Sequence, residues 1–546
     1  MKVSNVATKK KTSIDKKSIL ISVLGLSIII GYVLINPKEG MNLFVDVRNT
    51  INAKLGVLFL WTGFLSVILC GYLIFSKFGK VKLGAEKPEF SKFTWCAMMF
   101  CGAMGASLQF WSVIEWSYYY ADAPLGIESY TSKAAEAGLG YALFHWGLTP
   151  WAFYAVGTVS MAYLYYVKKR PGLRCSNVLL GVFGEKHTNG LLGKIVDISF
   201  IFTVVIGLAC TFGTGVYMVS DGWAQILNIQ NTIVLTIIIV SIISLVFITS
   251  SYLGLDKGLS KIADVNTYYA ILFVVVLFII GPTTFILNNT TNSIGFMVNN
   301  FVEMSLWTDP IDQKGFPEAW TMFYWGFWLG TAPFFWIFAT KISRGRTIKE
   351  LVSWMLLAGI TGTLLYFGVI SNYAISYQLD GTYNMVESVA TLGADNAIST
   401  FLTMVPGGLF ILISWTIVAS LFLATSMDSG AFALASNTQR NLKLGESPAK
   451  GLRLFWCIVL TGLPIGFIMS GAPIEAFKAS ANISGTPILL VYLFAIISLF
   501  KWFKEDYGKK SAHEIEVEFR EPNVLIDVGV RNVQEEVAAA REEDKI

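Results

Sequence analysis

The sequence predicts an all-α integral membrane protein of twelve transmembrane helices, on three observations. Only 14% of the 546 residues are charged while 54% are apolar. A soluble domain carries about 25% charged residues, so a reading as several globular units fails. Apolar runs recur at roughly 19–36, 55–76, 93–119, 139–166, 195–223, 232–250, 268–287, 318–340, 350–371, 401–436, 454–470 and 484–503, and most exceed the ~20 residues that cross a bilayer. When the intervening loops are assigned alternately to two sides, 35 of the 41 Lys and Arg fall on one side; the other holds Lys38, Arg48, Lys54, Lys133, Lys314 and Lys478. That asymmetry puts the basic side, with both termini, in the cytoplasm of a cell-membrane protein. The net charge of +4 is then a topology signal, and no nucleic-acid partner is expected.

Taken in order, residues 1–18 form a cytoplasmic basic arm suited to anionic lipid. Residues 19–90 hold two peripheral membrane helices; the first run is too long for a signal peptide and lacks a small-residue cleavage pattern. Residues 91–287 are a first group of five helices. Its opening helix carries the small-residue stretch Cys101-Gly102-Ala103-Met104-Gly105-Ala106-Ser107. Glycine holds a helix poorly, and small side chains admit close approach of backbone or ligand; a plain packing face is the competing reading. Residues 288–317 form an extracellular connection, and 318–503 a second group of five. Its opening helix runs Trp320-Thr321-Met322-Phe323-Tyr324-Trp325-Gly326-Phe327-Trp328-Leu329-Gly330-Thr331-Ala332-Pro333. Aromatics this dense, entering a span, suit a cation-binding wall better than a lipid belt. Two interrupted helices, five spans apart, point to an inverted-repeat secondary transporter with its site at mid-membrane. Residues 504–546 are a polar acidic cytoplasmic tail, in which 511–519 alternates and 533–543 has helical character.

Ionisable residues inside the spans are few and costly there. Glu115 and Asp428 are read first as groups that bond a broken helix's backbone, with direct substrate contact as the alternative. Asp221, near the end of its span, is expected to face outer water. The six cysteines lie in spans or on the cytoplasmic side, so no extracellular disulfide is implied. His145, His187 and His513 have no metal-ligand spacing. No nucleotide-binding loop or nucleophile–base pair stands out, which argues against an enzyme and for energy from a gradient.

The aromatic run from Trp320 to Trp328, followed by Ile342-Ser343-Arg344-Gly345-Arg346-Thr347, resembles the signature of the betaine/carnitine/choline transporter family. Phe144-His145-Trp146-Gly147, Gly184-Glu185-Lys186-His187 and Thr308-Asp309-Pro310 extend the resemblance, closest to its carnitine branch. The resemblance implies twelve helices, a LeuT-like inverted repeat of five plus five preceded by two, a surface helix near 294–306, and a homotrimer. It implies transport of a quaternary-ammonium or betaine-type compound such as glycine betaine, carnitine or choline.

By similarity, Phe110, Tyr118, Trp146, Phe327, Trp328 and Thr331 would form the substrate site. Phe327 stands where the family usually has Trp, and Thr331 where it has Trp or Tyr. A trimethylammonium group has no N–H and must be held by ring faces, at ~0.5–2 kcal/mol per good face. The substrate carboxylate is expected at free backbone N–H groups near Gly102–Ser107. Sodium-independent exchangers of the family carry Arg in an Asp-Val-Arg stretch; here it reads Asp264-Val265-Asn266. Hydroxyls of Thr425 and Ser426, with the carbonyls of Cys101, Met104 and Phe422, match the sodium site of the betaine symporters. Na⁺ is therefore the expected coupling ion. A sodium-independent exchanger and a non-transporting receptor or osmosensor are the alternatives.

Overall fold

The computed structural model describes residues 12–84, 87–103, 105–443, 445–469 and 474–519. The chain is helical almost throughout. Helices α1 (Lys16–Ile35) and α2 (Pro37–Phe75) meet at Asn36. The segment expected to be a loop after the first span is instead part of a 39-residue helix, which Pro37 starts because its missing N–H is not needed there.

The third span is broken as expected: α3 (Lys92–Ala103) and α4 (Gly105–Ala121) bend by 64°. Gly105 has φ +32°, and a Cβ there would lie 2.8 Å from Ser426 Oγ. Both facts favour glycine at this break. A second break lies in the fourth span, between α5 (Ser132–Trp146) and α6 (Leu148–Ala162), at Gly147. There a Cβ would meet the Leu143 carbonyl oxygen at 2.4 Å.

Next come α7 (Leu180–Thr188), α8 (Leu191–Leu227), α9 (Ile233–Leu253) and α10 (Ser260–Ile280). The expected span 268–287 ends early, because Gly281 and Pro282 separate α10 from α11 (Thr283–Asn299). Together with α12 (Phe301–Leu306) this makes a surface helical segment longer than the 294–306 expected.

Helix α13 (Met322–Ile342) follows one wide π turn at Pro317–Thr321. The interruption expected at Gly326–Pro333 is absent, and α13 runs on through Pro333. Every one of its residues is buried, so tertiary packing compensates for the hydrogen bond that Pro333 removes. Then come α14 (Ile348–Tyr366), α15 (Asn372–Leu379), α16 (Met385–Leu392), α17 (Ala394–Met404), α18 (Gly408–Thr438), α19 (Lys450–Met469), α20 (Ile474–Tyr507) and α21 (Ala512–Glu518). Residues 401–404 belong to α17, not to the tenth span. The alternation at 511–519 is a capped helix: Ser511 Oγ accepts from the Glu514 N–H, and the Glu514 carboxylate accepts from the Ser511 N–H. The helical reading of 533–543 lies outside the described residues.

Among the described residues, eight helices are long and apolar enough to cross a membrane, and the bent α3–α4 pair makes a ninth. The other expected spans fall on α5–α6, α13 and α19. Peripheral helices expose large apolar side chains, such as Ile28, Leu65, Phe75, Leu245 and Ile279, which suits hydrocarbon as the surrounding solvent. The centre is built from α13 against α20 and α6, and α18 against α8.

Candidate functional site

The break between α3 and α4 faces α18. The Cys101 carbonyl accepts from Ser426 Oγ at 3.2 Å and Thr425 Oγ1 at 3.4 Å, and Thr425 Oγ1 donates to the Phe422 carbonyl at 2.9 Å. Four of the five expected sodium-binding positions thus converge. The fifth, Met104, lies outside the described residues. An all-oxygen set of hydroxyls and carbonyls fits a hard cation.

One turn into α4, Ser107 opens a small enclosed cavity of about 20 Å³, enough for one water. Trp111, Trp146, Cys210, Thr214, Phe323, Tyr324, Phe327 and Lys478 complete its wall. Of the six expected substrate residues, Trp146 and Phe327 line this cavity. Trp328 packs behind, 4.9 Å from the Trp146 ring and 4.8 Å from Phe327, with its Nε1 donating to the His145 carbonyl. Thr331 sits one turn further along α13 and is within 2.9 Å of the Tyr154 hydroxyl. Phe110 and Tyr118 do not line the cavity; each packs on Trp111, at 5.3 and 6.2 Å, and Tyr118 also on Trp320 at 5.4 Å.

Behind the rings, the Glu115 carboxylate accepts from Tyr119 and Tyr324 hydroxyls and from Trp146 Nε1, each at 2.6 Å. His145 continues the network to Tyr119 at 2.9 Å and Thr321 at 3.0 Å. Glu115 holds rings rather than a broken backbone. Asp428 is also structural: it accepts from Ser250 at 2.6 Å and pairs with Arg453 at 3.2 Å. Asp221, expected to face water, is buried and accepts from Gln225.

A family model described as betaine/carnitine/choline family transporter matches residues 18–508. The chain belongs to this family. The family is one of transporters, and with its apolar helices the chain is a multi-pass membrane protein. It is 33% identical over 538 residues to a carnitine transporter of Acinetobacter baumannii, covering 98% of this chain and 97% of that protein. It is 34% identical to an uncharacterized transporter of Escherichia coli, over 82% of this chain and 92% of that one. It is 32% identical to the glycine betaine transporter OpuD of Bacillus subtilis, over 88% and 93% respectively.

Sequence reasoning had Ser107, Phe323 and Tyr324 only within the small-residue stretch and the aromatic run, and missed Trp111, Cys210, Thr214 and Lys478 as cavity residues. A helical-face reading finds several: Trp320, Phe323, Tyr324 and Phe327 share one face of the α13 approach, and Ser107, Trp111 and Tyr118 one face of α4. Lys478 was placed in an outer loop. It is instead 3% exposed, with Nζ 3.9 Å from the Trp320 ring centroid and 4.9 Å from that of Phe323.

Proposed function

We propose that this transporter imports a quaternary-ammonium compound of betaine or carnitine type by alternating access, coupled to Na⁺. The supporting observation is the placement of an aromatic-walled cavity directly beside the unwound α3–α4 break and its oxygen cluster. Ring faces of Trp146 and Phe327, backed by Trp328, suit a methylated cation that cannot donate hydrogen bonds. At about 20 Å³ the cavity must widen to admit such a substrate, which fits a site opened and closed by movement of one helix group against the other.

Sodium coupling rests on where positive charge is missing. Asn266 is fully buried on α10, and its neighbour Thr267 lies 3.2 Å from Cys101 Sγ at the break. An amide supplies no charge there. With Na⁺ bound, Thr425 and Ser426 on α18 would be tied to carbonyls of α3, favouring the substrate-competent arrangement.

Uptake of labelled glycine betaine and carnitine into proteoliposomes, with and without a Na⁺ gradient, is the test. Uptake should require external Na⁺, and Thr425→Ala combined with Ser426→Ala should remove that requirement or the uptake itself. Trp328→Leu should abolish uptake. Undiminished transport into sodium-free vesicles that depends on internal substrate would replace symport by exchange; ligand binding without counterflow would indicate a receptor.

A further inference from the structure

We infer that Lys478 clamps the outer side of the site shut, as the cationic half of a charge pair whose anionic half is Glu115 and whose spacer is a layer of aromatic rings. The inference rests on the reading of the cavity as the substrate site. Both charges are buried, Glu115 on α4 in the first helix group and Lys478 on α20 in the second. The Lys478 ammonium lies 3.9 Å from the Trp320 ring centroid. Trp320 in turn packs 4.8 Å from the Tyr119 ring and 6.3 Å from that of Tyr324, and the hydroxyls of both tyrosines donate to the Glu115 carboxylate. The charge of Lys478 acts on Glu115 through these rings. An ionisable group buried in a span is costly unless an opposite charge compensates it, and each of the two supplies part of that compensation for the other.

The ring layer lies between the cavity and the helix ends opposite the basic loops. From the break, α4 passes Ser107 and Trp111 of the cavity wall before it reaches Tyr118 and Tyr119. The other helix runs the opposite way: Trp320 in the π turn precedes the wall residues Phe323 and Phe327, and Lys341 comes in the last turn of α13. Trp320 meets Trp111, Tyr118 and Tyr119 at 6.2, 5.4 and 4.8 Å. Each of these contacts joins the second helix group to the first. A substrate entering from the outer face must part them, and with them Lys478 from Glu115. In a space poorly screened by water, that separation is opposed by the attraction of the two charges and of the ammonium to the ring faces.

Lys478 is fixed on the Trp320 side of the parting surface by its own helix. One turn on, Asn482 Nδ2 donates to the Met322 and Phe323 carbonyls at 3.3 and 3.4 Å. A further turn on, Gly485 lies so close to α13 that a Cβ would meet the Gly326 carbonyl oxygen at 2.1 Å. Helices α20 and α13 are thus one packed body, and the contact that yields is the one to α4.

Cys210 lines the cavity beneath this layer and reports its opening. The test is the rate at which a membrane-impermeant maleimide, applied to the outer face of cells carrying the full-length protein, labels Cys210; the label lost in Cys210→Ser defines the signal. Wild type should label slowly. Lys478→Met and Glu115→Gln, each leaving one buried charge without its counterpart, should label about tenfold faster or more. The double variant should label more slowly than either single one, and Lys478→Arg, which keeps the charge, should label as slowly as wild type. Lys478→Gln serves as the neutral variant if the Met protein does not fold. Unchanged labelling in the neutral variants, or effects that simply multiply in the double variant, would overturn the clamp. Glycine betaine or carnitine should slow labelling of the wild-type protein; protection by neither would overturn the site reading instead.

Discussion

Three donors converge on the Glu115 carboxylate, and two of them, Trp146 and Tyr324, belong to the cavity wall. A buried acceptor of this kind positions rings that ring–ring contact alone would leave free to tilt. Replacing Glu115 by Gln keeps the shape but turns an NH₂ toward donors that need an acceptor. Each hydrogen bond to a charged group is worth about 1.5–3 kcal/mol. Glu115→Gln should therefore lower the thermal unfolding midpoint of the purified protein and weaken substrate binding together. A variant matching wild type in both measurements would show that the carboxylate does not set the cage. The network was only half legible beforehand. Glu115 stood out as an ionisable group in a span, but its partner Tyr324 is 209 positions away, and no local pattern links them.

Between elements, the contact of α13 with α20 decides where the cavity's charged group lies. Gly326 and Gly330 on α13 face Gly485 on α20, and at Gly485 a Cβ would fall 3.0 Å from the Gly330 nitrogen as well. Small residues at a helix crossing let backbones meet when no water-driven force holds them. Gly485→Ala should force the helices apart, at about 1–3 kcal/mol for the overpacking, and carry Lys478 away from Trp320. Uptake and unfolding midpoint should both fall. Gly295→Ala on α11, where nothing lies within 4 Å of the new Cβ, should leave both unchanged or raise stability slightly. Equal effects of the two substitutions would refute the crossing argument.

Across the whole molecule, distant parts of the chain are fastened at the ends of the helices. Ser13 and Ile14 pair with Arg440 and Gln439 as a two-residue antiparallel ribbon, and the Asp15 N–H donates to the Thr438 carbonyl at 2.8 Å. The Asp15 carboxylate both caps α1 through the Ser18 N–H and pairs with Arg440. Burial opposes its ionisation, but Arg440 and Ser18 outweigh that and hold its carboxyl below the usual value. A carboxyl lowered in the folded state adds stability above its unfolded pKa of about 4, and that stability is lost as pH falls through the folded value. Asp15→Asn should therefore lower the unfolding midpoint at neutral pH, with the difference from wild type vanishing in strong acid. A difference independent of pH would mean that the ion pair contributes nothing. At the other end, α21 docks on the turn after α2, with Lys80 and Glu516 2.5 Å apart.

The helical, many-span architecture was plain in composition and periodicity because a bilayer forces each segment to satisfy its own backbone hydrogen bonds, and hydropathy then reports the segment directly. The same locality exposed Gly102–Ser107 as a break, whereas Trp146 and Phe327, which line the cavity, were reached through the family resemblance. Helix ends were read less well: α2 begins at Pro37, in what reads as the loop between the first two apolar runs, and α11 at Thr283, inside the run 268–287. Lys478 was beyond reach. One lysine beside an apolar run looks the same whether it faces outer water or lies on Trp320, and only the approach of Gly485 to Gly326 decides between them. Local chemistry sets which helices form; which side chains share a cavity depends on contacts between helices far apart in the chain, and those exist only once the helices are packed.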